Sequence, residues 1–349
     1  MSSLKKTSIP FLIIIITMFM SCNGSVKREN FTIIDVQSVV DIKGQIVLNE
    51  DLMQFYDLQI YDTLAFFASS RGESVFRVYS TKDFKLLNEF GYNHAGPEYV
   101  DYPMFLKTKS LPDSVESYDI NTRSFINAIF NKSSNSFTME KELMDDNMWP
   151  VINLNKVSEN VYFANSLPPF NKGLFFKYET EKFDKKWIPF VKKHESGNDD
   201  YMTALNRNSI AINKSKSIVI CCMKYFNKIF AFDFDGNIIR EIQLGTNSIE
   251  PSLEIPEIEK FTENSETFFT TIVATDKFFY CLWNNKKINA KKKEAANSKV
   301  IIFDWQCNYV RTIQTDNIIS AMDVHPKDSY FLGIVFNDEE DTSIYKYII

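Results

Sequence analysis

A recurring unit constrains this 349-residue chain more than any other feature. "SVFRVYSTKDFKLLNEFG" (74–91), "KIFAFDFDGNIIREIQLG" (228–245) and "KVIIFDWQCNYVRTIQTD" (299–316) each run as an apolar strand, a polar turn and a second strand. Residues 174–190 and 125–143 are weaker copies. Ahead of each copy, counting also a last pair whose copy is missing, stands another strand, turn and strand: "FYDLQIYDTLAFFAS", "MFLKTKSLPDSVESYD", "VINLNKVSENVYFANS", "SIAINKSKSIVICCMKY", "FTTIVATDKFFYCLWN" and "ISAMDVHPKDSYFLGIVF". The units begin near residues 55, 103, 150, 208, 268 and 318. Four short strands repeated at that period describe the blades of a six-bladed, all-β propeller, each blade burying one face on its neighbour. The 31 Phe and 16 Tyr suit such faces.

The sixth unit stops at "SIYKYII", after its third strand. Strand-like "FTIIDVQSV" and "GQIVLNE", within residues 31–50, precede the first blade, and pairing them with the last blade supplies its missing strand and closes the ring. No Pro-rich or Gly/Ser-rich linker interrupts the chain after residue 30. The organisation expected is a signal peptide over 1–21, a tether over 22–30 and one propeller over 31–349.

The amino terminus carries Lys5 and Lys6, an apolar run from Ile9 to Met20, and "MFMSC" ending at Cys22. The run is short for a bilayer span and has the order of a secretory leader. Ser21 followed by Cys22 resembles the processing site of bacterial lipoproteins, although Phe19 stands where those signals more often carry Leu. The resemblance implies that Cys22 becomes the acylated first residue of a palmitate-bearing lipoprotein, anchored to the outer membrane of the cell envelope and facing the periplasm. The formal net charge is −6, and loss of Lys5 and Lys6 makes the mature chain more acidic, which argues against nucleic-acid binding. Cys221, Cys222, Cys281 and Cys307 lie in apolar runs without C-x-x-C spacing, so buried free thiols are expected.

Between the first and second units lies "GYNHAGPEY" (91–99). Its F-G-x-x-x-x-G-P-E segment, with the leader and the six units, resembles the TolB-like six-bladed propeller lipoproteins of Bacteroidetes, departing from their G-x-G-P-G-E-F hallmark at His94 and Tyr99. That resemblance implies fold and location, and no reaction. By position the segment is a crossover between blades, with a turn at Gly96 and Pro97 and Glu98 placed to cap backbone N–H groups. His94 and Glu98 are the candidate binding residues there. As a catalytic base, His94 has no partner indicated by spacing, since the other histidines are His194 and His325.

Antiparallel order puts the turns between second and third strands on the same face as the crossovers. The long excursions 166–173, 191–207, 246–266 and 284–299 all fall in that set, and a rim elaborated in this way reads as a binding surface. Candidate contacts on it are Lys286, Lys287, Lys291, Lys292 and Lys293, which face the acidic "NDEEDT" (337–342) of the next unit. No phosphate loop, H-E-x-x-H, G-x-S-x-G or calcium-loop spacing occurs, so no cofactor is expected. The function expected is a lipid-anchored binding or scaffolding module for an envelope protein or glycan. The alternative is a metal-dependent lactonase- or esterase-like hydrolase, with residues such as Glu98 or Asp323 at the central channel.

Replacement Cys22→Ala is expected to abolish labelling by a palmitate analogue and to leave uncleaved precursor or a soluble form. Unchanged labelling removes the lipoprotein reading.

Overall fold

The structure is a computed structural model. It describes residues 30–36, 39–49, 54–94, 96, 98–107, 114–131, 136–167, 170–191, 199–248, 266–287, 297–336 and 341–349. Almost all described residues belong to one compact unit, Thr32–Ile349.

Three short strands come first: β1 (Phe31–Ile34), β2 (Val39–Asp41) and β3 (Gln45–Asn49). Blade one is β4 (Phe55–Tyr61), β5 (Leu64–Ser69), β6 (Ser74–Ser80) and β7 (Leu86–Tyr92). Blade two is β8 (Pro103–Phe105), β9 (Ser114–Asp119), β10 (Ser124–Asn131) and β11 (Ser136–Leu143). Blade three is β12 (Ile152–Ser158), β13 (Val161–Asn165), β14 (Phe175–Glu179) and β15 (Asp184–Ile188). Helix α1 (Asp199–Leu205) then leads to blade four: β16 (Asn208–Asn213), β17 (Ile218–Met223), β18 (Lys228–Asp233) and β19 (Ile238–Leu244). Blade five is β20 (Glu266–Ala274), β21 (Phe278–Lys287), β22 (Lys299–Asp304) and β23 (Tyr309–Gln314), and blade six contributes β24 (Ala321–Val324), β25 (Tyr330–Phe336) and β26 (Thr342–Ile348). Within every blade the strands pair in chain order, so the sheets are six antiparallel meanders.

The repeat holds at the level of single turns. Asp233 accepts from the backbone N–H groups of Asp235 and Asn237 and from Asn237 Nδ2 in blade four, and Asp304 accepts from Gln306, Asn308 and Asn308 Nδ2 in blade five. Both are aspartate-centred turns, in which the carboxylate replaces backbone acceptors and tightens the reversal. Such a turn ends on a left-handed residue, Gly236 at φ +90° in one and Cys307 at φ +65° in the other.

The core is divided among the blade interfaces. Phe279, Phe303 and Trp305 of blade five pack with Ile229 and Ile242 of blade four. Phe66, Phe76 and Phe90 of blade one pack with Phe105, Val115 and Ile126 of blade two. Corresponding clusters join blades two and three, three and four, five and six, and six and one. Near the axis, buried carboxylates cross from one blade to the next. Asp57 of β4 accepts from the N–H of Phe105 at 3.0 Å and pairs with Lys107 Nζ at 2.5 Å, while Asp323 of β24 accepts from the N–H of Ile60 at 2.6 Å. Charge-assisted bonds of this kind fix one blade's register on the next.

The N-terminal segment departs from the expectation that all of it joins the last blade. Only β3 lies beside β26, antiparallel, with Ser343 opposite Asn49 and Ile344 opposite Leu48. Strand β2 runs parallel to β23 on the outer edge of blade five, and β1 edges β19 of blade four. Blade six has room for one outer strand, so the residues upstream of β3 satisfy their backbone groups on the open edges of the two preceding blades. Gly44 makes the turn into β3 possible, because a Cβ there would stand 2.6 Å from the Tyr347 ring. Ile34 is buried among residues of blades four and five.

Deleting residues 31–41 is expected to cost about the burial of Ile34, roughly 1.5–3 kcal/mol, with a cooperative urea transition retained. Deleting 31–49 also strips the outer strand from blade six and is expected to destroy cooperativity; two deletions that unfold alike would show that β3 does not hold the ring.

Candidate functional site

The described residues among those singled out in the sequence lie in separate parts of the fold. His94 and Glu98 are both exposed on the crossover from blade one to blade two, where the His94 ring lies 5.2 Å from that of Tyr92. The crossover folds back on β7: Tyr92 N–H donates to the Glu98 carbonyl and Val100 N–H to the Tyr92 carbonyl. The backbone carbonyl of Glu98 thus makes the turn contact. Gly91 is required there, at φ +67° with a Cβ position 3.0 Å from the Phe76 ring. Lys286 and Lys287 end β21 opposite Thr267 and Glu266. Lys291, Lys292, Lys293 and Cys22 lie outside the described residues, as does His194.

Asp323 is engaged as an inter-blade staple, and His325 is held in the turn after β24 by Ser329 Oγ at 3.0 Å and by stacking on Tyr330 at 4.7 Å. Among the described residues no three His, Cys, Asp or Glu side chains group in a way that could hold a metal ion. Cys221, Cys222, Cys281 and Cys307 are free and buried, with Cys222 Sγ 3.3 Å from Cys281 Sγ, and burial pushes the Cys307 thiol up to about 11.

The elaborated face is only partly described. One part of it, α1, buries Met202, Thr203, Ala204 and Leu205, with Ala204 and Leu205 joining the cluster between blades three and four, so this excursion adds core.

The site with the features of a binding cavity lies elsewhere, between blades two and three. Alternation along blade two assigns Val115, Ile126 and Ala128 to the apolar cluster with blade one. The other side of the sheet carries two cross-strand rows, Glu116, Asn127, Glu140 and Tyr118, Phe125, Glu142, as the pairings of β10 with β9 and β11 dictate. Near the axis this face is sealed by Tyr118, Met148, Leu154 and Tyr162, with Phe125 stacked on Tyr162 at 5.5 Å. Farther out, carboxylates replace apolar residues and the blades separate. The resulting cleft has a volume of about 820 Å³, within the range of ligand sites, and Asp145, Glu159 and Glu181 also line it.

Lys156 bridges the inner wall, 2.7 Å from Glu116 and 3.0 Å from Glu159. Burial lowers its pKa, but the hydrogen bonds to both carboxylates outweigh that and raise the ammonium above the ordinary lysine value. Leu143 and Phe183, 82% and 66% exposed, are lining residues that face solvent. Phe183 is held at φ +50° by the turn that follows β14.

Two buried polar atoms of these blades are left over, one on a residue of the cleft lining and one behind it. Asn127 Oδ1 is shielded from solvent and accepts no hydrogen bond. Tyr178, opposite Tyr162 and on the same face of blade three, is fully buried with its hydroxyl unpartnered. Burial raises its pKa, and Asp145 beside it raises it further, without a hydrogen bond of ordinary geometry. Buried polar groups without partners are uncommon in native proteins and ask for an explanation.

Sequence reasoning missed this cleft because it looked to loops. The available signal was that residues 125–143 copied the repeat weakly: the weakness is the substitution of Asn127, Glu140 and Glu142 for apolar face residues. Removing the orphaned hydroxyl with Tyr178→Phe is expected to leave stability unchanged or raise it by about 1 kcal/mol in urea unfolding, where a satisfied buried tyrosine would lose that much. A loss of about that size shows that the hydroxyl has a partner in the folded chain.

The fold has solved counterparts. The chain is 12% identical to an exported protein of Bacteroides fragilis, with a TM-score of 0.53 and coverage of 89% of this chain and 99% of that one. It is likewise 12% identical to a DUF4221 family member from Bacteroides vulgatus, with a TM-score of 0.56 and coverage of 87% and 93%. At that identity the likeness concerns the fold alone. No curated protein matches the chain. A family model described as TolB-like 6-blade propeller-like matches residues 39–327, from β2 to the turn after β24. With six meander blades in ring order and that match over most of its length, the chain belongs to the TolB-like six-bladed propeller family.

Proposed function

We propose that this protein is a cell-envelope binding module, exported and acylated at Cys22, that takes an envelope protein or glycan into the cleft between blades two and three. The observation that carries the reading is the cleft itself, an opening of about 820 Å³ whose lining includes Asn127 with its unpartnered Oδ1. A wall built only for packing would be apolar there, because an unmade buried hydrogen bond costs about 1–3 kcal/mol. Export is supported by the leader and by the exported Bacteroides fragilis protein of similar fold. Outer-membrane anchoring facing the periplasm is part of the same proposal, and rests on Ser21 and Cys22.

The test is site-specific photocrosslinking in intact cells, with the crosslinker at Phe183 or Leu143 beside the cleft and at exposed Ile348 as the remote control. A discrete adduct is expected from the cleft positions alone, and it should disappear when Asn127→Phe fills the cleft of a protein that still melts cooperatively. Adducts of equal yield from Ile348, or adducts indifferent to Asn127→Phe, overturn the assignment.

A further inference from the structure

This inference rests on the acylation at Cys22 proposed above and assigns the face of the ring that meets the membrane. The three N-terminal strands share one direction. Strand β2 runs parallel to β23, with Val39 beside Thr312 and Asp41 beside Gln314, and β3 is antiparallel to the third strand β26, hence aligned with a fourth strand. Strand β1 does the same on blade four. Thr32 Oγ1 accepts from Arg240 Nη1 at 3.4 Å, and the Ile34 carbonyl accepts from the N–H of Gly245 at 2.8 Å, so residue number rises together in β1 and β19. A fourth strand starts at the turn that joins it to the third and ends at the crossover. The chain therefore enters the ring on the face of the third-to-fourth-strand turns and advances toward the crossover face.

Cys22 stands ten residues ahead of Thr32 in the sequence. A stretch of that length reaches at most about 35 Å. A seven-residue strand such as β19 spans about 23 Å. An anchor under the crossover face would thus spend about two-thirds of the reach in passing the edge of blade four, and an anchor under the turn face spends none of it.

The turn face carries a pattern of its own. At that end of every blade, in the third-to-fourth-strand turn or within two residues of it, a large apolar side chain is exposed: Leu87, Ile129, Phe183, Ile238, Val310 and, at the end of β26, Ile348. At the other end of the blade strands, among the described residues, exposed large apolar side chains occur only on blades two, three and six. Scattered apolar exposure is ordinary, but recurrence at one corner of all six blades puts six apolar groups at one end of the ring axis. Exposed Lys82, Asp83 and Glu181 lie between them. A second folded chain would need a continuous patch of about 800 Å². A fluid lipid surface receives separate apolar side chains and leaves the charges among its headgroups.

We propose that the face of the third-to-fourth-strand turns rests on the lipid surface, its ring of apolar corners dipping into the interface beside the acylated Cys22, and that the crossover face points away from the membrane.

The test uses the full chain recovered from cell membranes and reconstituted in vesicles of phosphatidylethanolamine and phosphatidylglycerol. Cys221, Cys222, Cys281 and Cys307 are buried and an acylated Cys22 has no free thiol, so the wild-type chain should take up no thiol-reactive dye without denaturant. Leu87→Cys, Ile238→Cys and Phe336→Cys each add one site, and Leu87 and Phe336, on opposite faces, are matched in exposure at 40% and 38%. A nitrobenzoxadiazole dye is expected to be several-fold brighter at positions 87 and 238 than at 336, and to be quenched there alone by lipids spin-labelled near the headgroup. Quenching at 336 equal to that at 87 and 238, or none at either of those two on a chain that stays with the vesicles, overturns the orientation and leaves the anchor standing. Brightening without quenching shows a second copy covering the face and overturns it as well. Dye uptake by the wild-type chain, with its release from the vesicles, overturns the anchor itself and the orientation with it.

Discussion

A meander sheet with two apolar faces cannot remain in water, and this chain contains six of them. Each face finds its cover on the neighbouring blade, which is why the core is six interfaces with no single centre. The arrangement is stable only when the last interface is made, because an open ring leaves two sheet faces and a strand edge exposed. Closure falls to residues 45–49, paired with β26 from the far end of the chain. The upstream strands β2 and β1 continue onto blades five and four, so one short segment touches half of the ring.

This dependence sets where the molecule can vary. Inner strands are tied across blades by Asp57 and Asp323, whose carboxylates reach backbone N–H groups of the adjoining blade, and a change there disturbs register as well as packing. Outer strands carry less. The interface of blades two and three exploits that latitude: its inner part keeps the apolar seal, while its outer part gives way to carboxylates, an orphaned amide oxygen and a cavity. Loss of apolar burial at one outer corner is tolerable when six interfaces share the core, and the corner so released is concave, polar and rimmed by apolar side chains.

The placement of the cleft changes how the propeller is expected to work. A ligand held between blades contacts two sheets whose relative position is fixed by ring closure, so both walls are preorganised and little ordering accompanies binding. One of the long excursions, the segment of α1, is already occupied with packing between blades three and four.

How much could be read beforehand varied with the range of the physics involved. Period-two alternation and aspartate-centred turns are local, so the repeat, the six blades and the first strands at 55, 103, 152, 208, 266 and 321 followed closely from residue order. The crossover character of 91–99 was legible for the same reason, since a strand end, a glycine and the next strand start bracket it. The N-terminal strands were recognisable as strands, but which edge each joins depends on edges left open elsewhere, and that is a property of the assembled ring. The cleft was invisible for a related reason. Glu140, Asn127 and Glu116 are distant in sequence, and their meeting in one row depends on pairing register, while the opening in front of them depends on what blade three fails to press against it. By itself the sequence determined the blades, because strand alternation and turns are decided within a few residues; only tertiary structure decided closure and cleft, because both are made of surfaces that come together after the blades exist.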